Sequence, residues 1–490
     1  MNLPVCERHT TWLSASRKSV AALAVLLGSV AAAFAQAPLS SAGQSTRQTP
    51  PSVLNGTAKL VEHYNPNQKL RLAFALKPQH LDEERQLAAE LHDKKSAQFH
   101  KFLTAEQWKA RFAPTAQDEQ AVVDWAKSQG LTITHRYPNR LLVDVEGTAG
   151  TIEKALSITI NNYAINGKPF FSNDREPMLP ANLASTVWAV QGLNNLEQER
   201  PVGKRFQVPQ RPEYVPGPAV AMGPVQHADA DTSKLPAGLR KAKGLKGSAN
   251  PANIGSQMTG GAYDPTDIYS SEAYDFNALY AQGHCCNPLG NPGQTPPETS
   301  IAIATFDSTD LSDIAGFHTQ YPYLAYNVQL YNIDGTPSPV GEGTMDIEWS
   351  TAMSNSFGSY QDTAKVYAYQ GANYNNVTIT DVYNHMLSDG YARVFSTSWA
   401  CAEQMTVPGA GDCYAATMDA RDSILLSMVI QGWTLVAASG DEGASATWCG
   451  AADGVFYPAS DPNVVAAGGT TLSLSPGPSF NSEVAWSGGP

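Results

Sequence analysis

From Tyr263 onward the chain repeats one pattern: a short aliphatic run, then a longer stretch with apolar residues at helical spacing. Ser300-Ile-Ala-Ile-Ala-Thr-Phe306, Lys365-Val-Tyr-Ala-Tyr369, Val394-Phe-Ser-Thr-Ser398 and Thr434-Leu-Val-Ala-Ala-Ser439 read as buried strands, because both faces of each are apolar or small. Helical stretches at about 342–354, 377–388 and 415–431 fall between them. Parallel neighbours need a crossover, so this alternation predicts an α/β domain with a parallel sheet and helices on both faces. No internal repeat is visible.

The preceding region reads differently. Leu70-Arg-Leu-Ala-Phe-Ala-Leu76 alternates toward a strand, and Leu81 to Leu91 carries apolar residues at helical spacing behind Asp82-Glu-Glu84. Thr104-Ala-Glu-Gln107 reads as a capping box, and Ala116 to Ser128 as a further helix. Residues 131–135 and 141–145 are strand candidates, and 148–156 a helix. The mixture predicts a small α+β open-faced sandwich.

A length of 490 residues favours two or three domains. The predicted organisation is a signal peptide over 1–35, a flexible leader over 36–58, the α+β domain over 59–197, a linker open to proteolysis over 198–262 and the α/β domain over 263–490. Arg17 and Lys18, an apolar Ser19–Val30 stretch and Ala33-Phe-Ala35 follow the secretory pattern. The expected location is therefore extracellular or periplasmic, with no membrane association after signal removal. Pro201, Pro209, Pro212, Pro216, Pro218 and Pro224, with the basic run Lys234 to Lys246, mark the linker. The net charge of −13 and the lack of a basic patch interleaved with aromatics argue against a nucleic-acid partner. Five cysteines remain after signal removal; Cys401 and Cys413 bracket a loop that can close a disulfide, Cys285 and Cys286 are adjacent, and one thiol is left over.

Glu342 and Asp346 are four residues apart, on one helical face, where their charges repel and burial raises a carboxyl pKa. A glutamate so placed can act as a general base in acid, where histidine is already protonated. Asp441, in Ser439-Gly-Asp-Glu-Gly443, follows a strand at its carboxyl end, where open α/β sheets gather their sites, and can donate a hydrogen bond to a developing oxyanion. Rival readings are a carboxylate metal site on Glu342, Asp346 and Glu348, and an ordinary triad built on Asp307. For the first, no loop of alternating oxygen ligands surrounds the three. For the second, neither His318 nor His385 has a catalytic context.

Gly341-Glu-Gly-Thr-Met-Asp-Ile-Glu348 with Ser439-Gly-Asp-Glu-Gly443 resembles the sedolisin family of serine-carboxyl peptidases, also called the kumamolisin or tripeptidyl-peptidase family. Phe99 to Gln107, Val143 to Thr148 and Trp188 to Leu193 look like its activation prodomain. Phe456 to Pro462 and Val464 to Thr470 look like the strands after its oxyanion aspartate. The resemblance implies a subtilisin-like fold and a prodomain that inhibits its own peptidase and is removed in acid. It implies polypeptide substrates and a monomer. By position, Glu342 matches the base, Asp346 the acid that orients it, and Asp441 the oxyanion donor; Ser396-Thr-Ser-Trp399 resembles the strand edge beside the cleft.

The family's nucleophile lies in a Gly-Thr-Ser motif that nothing after Thr470 repeats, and Ser487 comes too early to replace it. The expectation is an incomplete and inactive chain. Calcium belongs to the family's carboxyl-terminal segment, so no cofactor is expected on these residues. The alternative is an inactive product whose prodomain binds or inhibits a related peptidase.

Overall fold

The computed structural model describes residues 48–202, 265–269, 274–276, 300–321, 326–338, 341–354, 364–403, 413–441, 455–475 and 479–485. The signal segment, most of the linker, Cys285, Cys286, Cys449 and Ser487 lie outside them.

The N-terminal domain opens with β1 (Lys59–His63), β2 (Lys69–Leu76), α1 (Leu81–His92), α2 (Ala105–Arg111) and α3 (Ala116–Ser128). It continues through β3 (Thr132–Arg136), β4 (Leu142–Thr148), α4 (Ala149–Leu156), β5 (Ile160–Ile165), β6 (Lys168–Asn173) and β7 (Val187–Gln191). The capping box forms as read: Gln107 N donates to Thr104 Oγ1 at 3.2 Å, and Thr104 N to Gln107 Oε1 at 2.9 Å. The main sheet is antiparallel with order β3-β4-β2-β7, and β1-β5-β6 forms a second one. Strand side chains alternate between faces, so Leu70, Leu72, Phe74 and Leu76 of β2 pack with Val122, Val123, Ile152 and Leu156 of α3 and α4. The other face carries Ala75, Leu142 and Ala189 into a core shared with the C-terminal domain. The described chain already starts within the stretch read as a leader: Pro51–Leu54 makes a helical turn, and Glu176 accepts from the N–H groups of Gln48 and Thr49.

After β8 (Arg200–Pro201) come β9 (Ser300–Thr305), α5 (Leu311–Gln320), β10 (Val328–Ile333), α6 (Glu342–Met353), β11 (Lys365–Gly371) and α7 (Asn376–Asp389). Then follow β12 (Val394–Thr397), β13 (Trp399–Ala402), α8 (Ala415–Ile430), β14 (Thr434–Ala438), β15 (Phe456–Tyr457) and β16 (Val465–Ala467), and a hairpin of β17 (Thr470–Ser475) and β18 (Ser479–Ala485). The central sheet has order β10-β11-β9-β12-β14-β16, with every pair parallel. Ile303, Val366 and Ala368 face Ile314 of α5 and Ile347 of α6. Ala302, Ala304, Tyr369, Phe395 and Leu435 face α7 and α8 through Ile379, Tyr383, Ile424 and Met428. Helices thus cover both faces, the arrangement of a subtilisin-like α/β domain. Burying each large side chain contributes about 1.5–3 kcal/mol.

The same helices α7 and α8 receive the open face of the N-terminal sheet. Asn139 Nδ2 donates to Asn384 Oδ1 at 2.6 Å, Leu103 N to Ile430 O at 3.0 Å, and Arg85 pairs with Asp422 at 3.2 Å. The N-terminal domain therefore sits on the helical back of the sheet. Only its tail, residues 197–202, runs on to β13.

Candidate active site

Strand β9 ends at Thr305, Phe306 and Asp307 follow it, and the Asp307 carboxylate is fully buried. Its Oδ2 accepts from Gly341 N at 2.9 Å, Gly343 N lies 3.2 Å from both of its oxygens, and Thr305 Oγ1 donates to Oδ1. These are the unsatisfied amides at the start of α6, where the helix dipole favours a negative charge. Gly341 has φ +104°, which an L side chain rarely adopts, and makes no side-chain cap of its own. At Gly343 a Cβ would lie 2.5 Å from Thr305 Oγ1 and 2.6 Å from Asp307 Oδ1. Gly343 thus leaves the room Asp307 needs to approach the backbone, and Gly341 supplies the positive-φ turn before Glu342.

Glu342 opens α6, and Asp346 stands one turn on, on the same face. Ser398, between β12 and β13, donates through Oγ to Asp346 Oδ1 at 3.0 Å. Asp346 Oδ2 is buried and accepts no hydrogen bond. Burial pushes the Asp346 carboxyl up to about 7; the charges of Glu342 and Asp307 add to the rise, and the Ser398 hydrogen bond opposes it. Asp346 is therefore protonated in mild acid, when it can donate as well as accept.

Asp441 follows β14, directly beside β12 in register Thr397↔Ala437. Its chain is turned by Gly440 at φ +89°, where a Cβ would meet the Phe456 ring at 2.5 Å, and Ser439 N and Oγ both donate to Ala467 O. Asp307, the Glu342–Asp346 helix, Ser398 and Asp441 therefore gather at the carboxyl edge of one parallel sheet.

Into the same edge runs the tail of the N-terminal domain. β8 pairs antiparallel with β13, Pro201 opposite Trp399 and Arg200 opposite Ala400, and Val202 N donates to Ser398 O at 3.0 Å. Upstream, Glu199 forms a fully buried ion pair with Arg421 at 2.6 Å, and Glu197 accepts from Tyr414 N and Asn376 Nδ2, each at 2.8 Å. Cys401 and Cys413 are joined in a disulfide beside this pair.

Residues 57–196 match the family described as Pro-kumamolisin, activation domain. The chain is 27% identical to sedolisin of Pseudomonas sp. (strain 101), over 98% of this chain and 73% of that protein. It is 26% identical to xanthomonalisin of Xanthomonas sp. (strain T-22), over 86% of this chain and 47% of that protein. It is 24% identical to kumamolisin of Bacillus sp. (strain MN-32), over 92% of this chain and 69% of that protein. Along most of its length this chain is similar to the sedolisin-family peptidases. The sedolisins are serine-type peptidases, and residues 57–196 are the activation prodomain of one, which implies peptide substrates and intramolecular inhibition.

The rival triad does not assemble among the described residues. Asp307 is occupied by backbone amides, His318 stacks on Tyr326 at 4.2 Å, and His385 packs edge-on against Tyr137 of the prodomain at 5.1 Å, so no histidine faces Asp307 among the described residues. Nor does any group of three His, Cys, Asp or Glu among them stand ready to hold a metal, and Glu348 interacts with the charge of Asp313. Sequence reasoning missed Asp307's hold on α6; its signal was the pair of glycines around Glu342. It placed Ser398 at the cleft edge without its bond to Asp346, and it missed the Glu199–Arg421 pair altogether.

Proposed function

We propose that this chain is the secreted zymogen form of an acid-acting serine-carboxyl peptidase whose base is Glu342. The observation that carries the proposal is the Asp346 carboxyl: held by Ser398 through one oxygen, bare on the other, and one helical turn from Glu342. Below about pH 7 Asp346 holds its proton and can donate it in a hydrogen bond to ionised Glu342. Glu342 then takes the proton of a serine hydroxyl as that oxygen attacks the scissile carbonyl carbon. Asp441, in its protonated form, donates to the oxyanion of the tetrahedral intermediate. Collapse of the intermediate passes the proton from Glu342 to the leaving amine, and water repeats the cycle on the acyl-enzyme. The tail pairs with β13 beside Ser398, at the edge that carries Asp346, which supports inhibition by the prodomain.

The proposal needs a serine that the Gly-Thr-Ser motif would supply, and residues 471–490 do not contain it. Calcium, on this view, belongs to the same segment, and no step above uses it. Reading the encoding DNA past codon 490 tests the point. An in-frame Gly-Thr-Ser supports a peptidase; a stop codon favours the second reading, a prodomain carrier that binds a related enzyme. That second reading draws on the prodomain's extensive contacts with α7 and α8, and the full chain would then slow cleavage by an active relative. In a chain carrying the serine, Glu342→Gln is expected to lower peptide cleavage in acid by about 10²–10⁴. Cleavage at the wild-type rate would remove Glu342 as the base.

A further inference from the structure

The geometry points to Asp307 as a positioning residue for the Glu342–Asp346 pair, acting on the backbone around Glu342 and on the charge balance of Asp346. It deepens the peptidase reading, on which the functional value of that pair rests. Three observations converge. The carboxylate is fully buried with no lysine, arginine or histidine paired to it among the described ion pairs, so its charge is satisfied by the amides of Gly341 and Gly343 and by Thr305. Those amides lie immediately before and after Glu342, so one carboxylate fixes the backbone on both sides of the base. Helix α6 has no side-chain cap from its own sequence, which leaves this bond across 36 residues to hold its first turn.

The second action is electrostatic. Glu342 and Asp307 both place negative charge near Asp346, and each favours the protonated form of its carboxyl. Removing the Asp307 charge makes Asp346 ionise more readily. It then carries charge in the pH range where Glu342 needs a donor. Asp307 touches neither substrate nor reacting atoms, so its contribution passes through its two neighbours.

Two variants separate the actions in the full-length chain. Asp307→Ala removes acceptor and charge; Asp307→Asn keeps one carbonyl acceptor and removes the charge. Hydrogen exchange across residues 341–345 is expected to accelerate about a hundredfold in Asp307→Ala and less than about tenfold in Asp307→Asn. Carboxyl carbon NMR of labelled aspartates is expected to move the Asp346 titration to lower pH in both. Where acid cleavage is measurable, Asp307→Ala is expected to lower kcat by roughly 10²-fold with KM unchanged. Asp307→Asn should recover most of that loss but narrow the pH profile. Should Asp307→Ala fail to fold, Asp307→Asn still decides through the Asp346 titration. Protected glycine amides in Asp307→Ala, or an unshifted Asp346 in Asp307→Asn, would overturn the assignment. If a chain carrying the serine cleaves nothing, the peptidase reading fails on its own, while exchange and titration still report whether Asp307 positions the pair.

Discussion

Arg421 is the residue on which the tail of the prodomain turns. Its guanidinium is 1% exposed and donates to Glu199 Oε1 at 2.6 Å, Thr380 Oγ1 at 3.1 Å and the Asn376 carbonyl at 3.3 Å. A buried pair of this kind adds little net stability, because desolvating both ions offsets their attraction, but losing one partner strands the other. Glu199→Ala should therefore cost about 3–5 kcal/mol in urea unfolding near pH 7, whereas replacing both residues with apolar ones of similar volume should cost less. A loss below about 1 kcal/mol for the single variant would mean that water or another anion reaches Arg421. Glu199 and Arg421 are 222 residues apart in the chain, and Glu199 looks in sequence like one acid in a polar run. No periodicity or motif could have joined them.

At the scale of elements, α6 shows how far a motif can be read before packing must be known. Gly343→Ala places a Cβ against Thr305 Oγ1 and Asp307 Oδ1 at the start of the helix, a clash that relaxes by displacing the hydrogen-bonded Asp307 and Thr305 side chains or by pushing β9 and α6 apart. Overpacking of this kind costs about 1–3 kcal/mol, so the thermal midpoint should fall and exchange in the first turn of α6 should rise. An unchanged midpoint would mean that Asp307 can swing aside. The helix itself was legible, since Glu342–Met353 nearly coincides with the 342–354 stretch, and β9, β11, β12 and β14 were legible as apolar runs buried on both faces. Strands defined by their partners were not. β10 is an edge strand whose residues are mostly half-exposed, β13 is four residues long, and β8 is a dipeptide that becomes a strand only against β13. That Glu342 and Asp346 share a helical face and that Asp441 follows a strand was legible, because both are local features of the pattern. Their neighbours Asp307 and Ser398 come from other strands, and their bonds to α6 exist only once the sheet is assembled.

For the whole molecule, the contact between prodomain and peptidase domain carries two sets of titrating groups that respond to acid in opposite senses. Arg71 of β2 pairs with Asp144 of β4 at 3.1 Å and, across the domain boundary, with Asp381 at 2.6 Å and with Asp334. The rings of His135, Tyr137 and His385 meet edge-on or tilted beside this cluster, the two histidine rings 5.2 Å apart across the boundary, with Asp389 also facing His385. One cation thus faces three carboxylates. Burial, with the neighbouring carboxylates, pushes Asp144 up to about 6 and Asp381 well above its usual range, against the pull of Arg71. A carboxyl whose folded pKa is raised stabilises most below its unfolded value, about 4, and loses that contribution as pH rises through the folded value. Acidification therefore tightens this part of the contact. Burial lowers both histidines, aided for His135 by Arg71 and for His385 by His135. Their contribution is present above about pH 6.5 and is lost as pH falls through their lowered values. Release in acid should consequently be driven by the histidines and resisted by the carboxylates. Thermal unfolding followed from pH 7.5 to 4 distinguishes the two. His135→Gln with His385→Gln should keep its midpoint into acid better than the wild type, and Asp381→Asn should lose its midpoint more steeply. Parallel curves for the double histidine variant and the wild type would refute this assignment and move the acid response to another part of the contact.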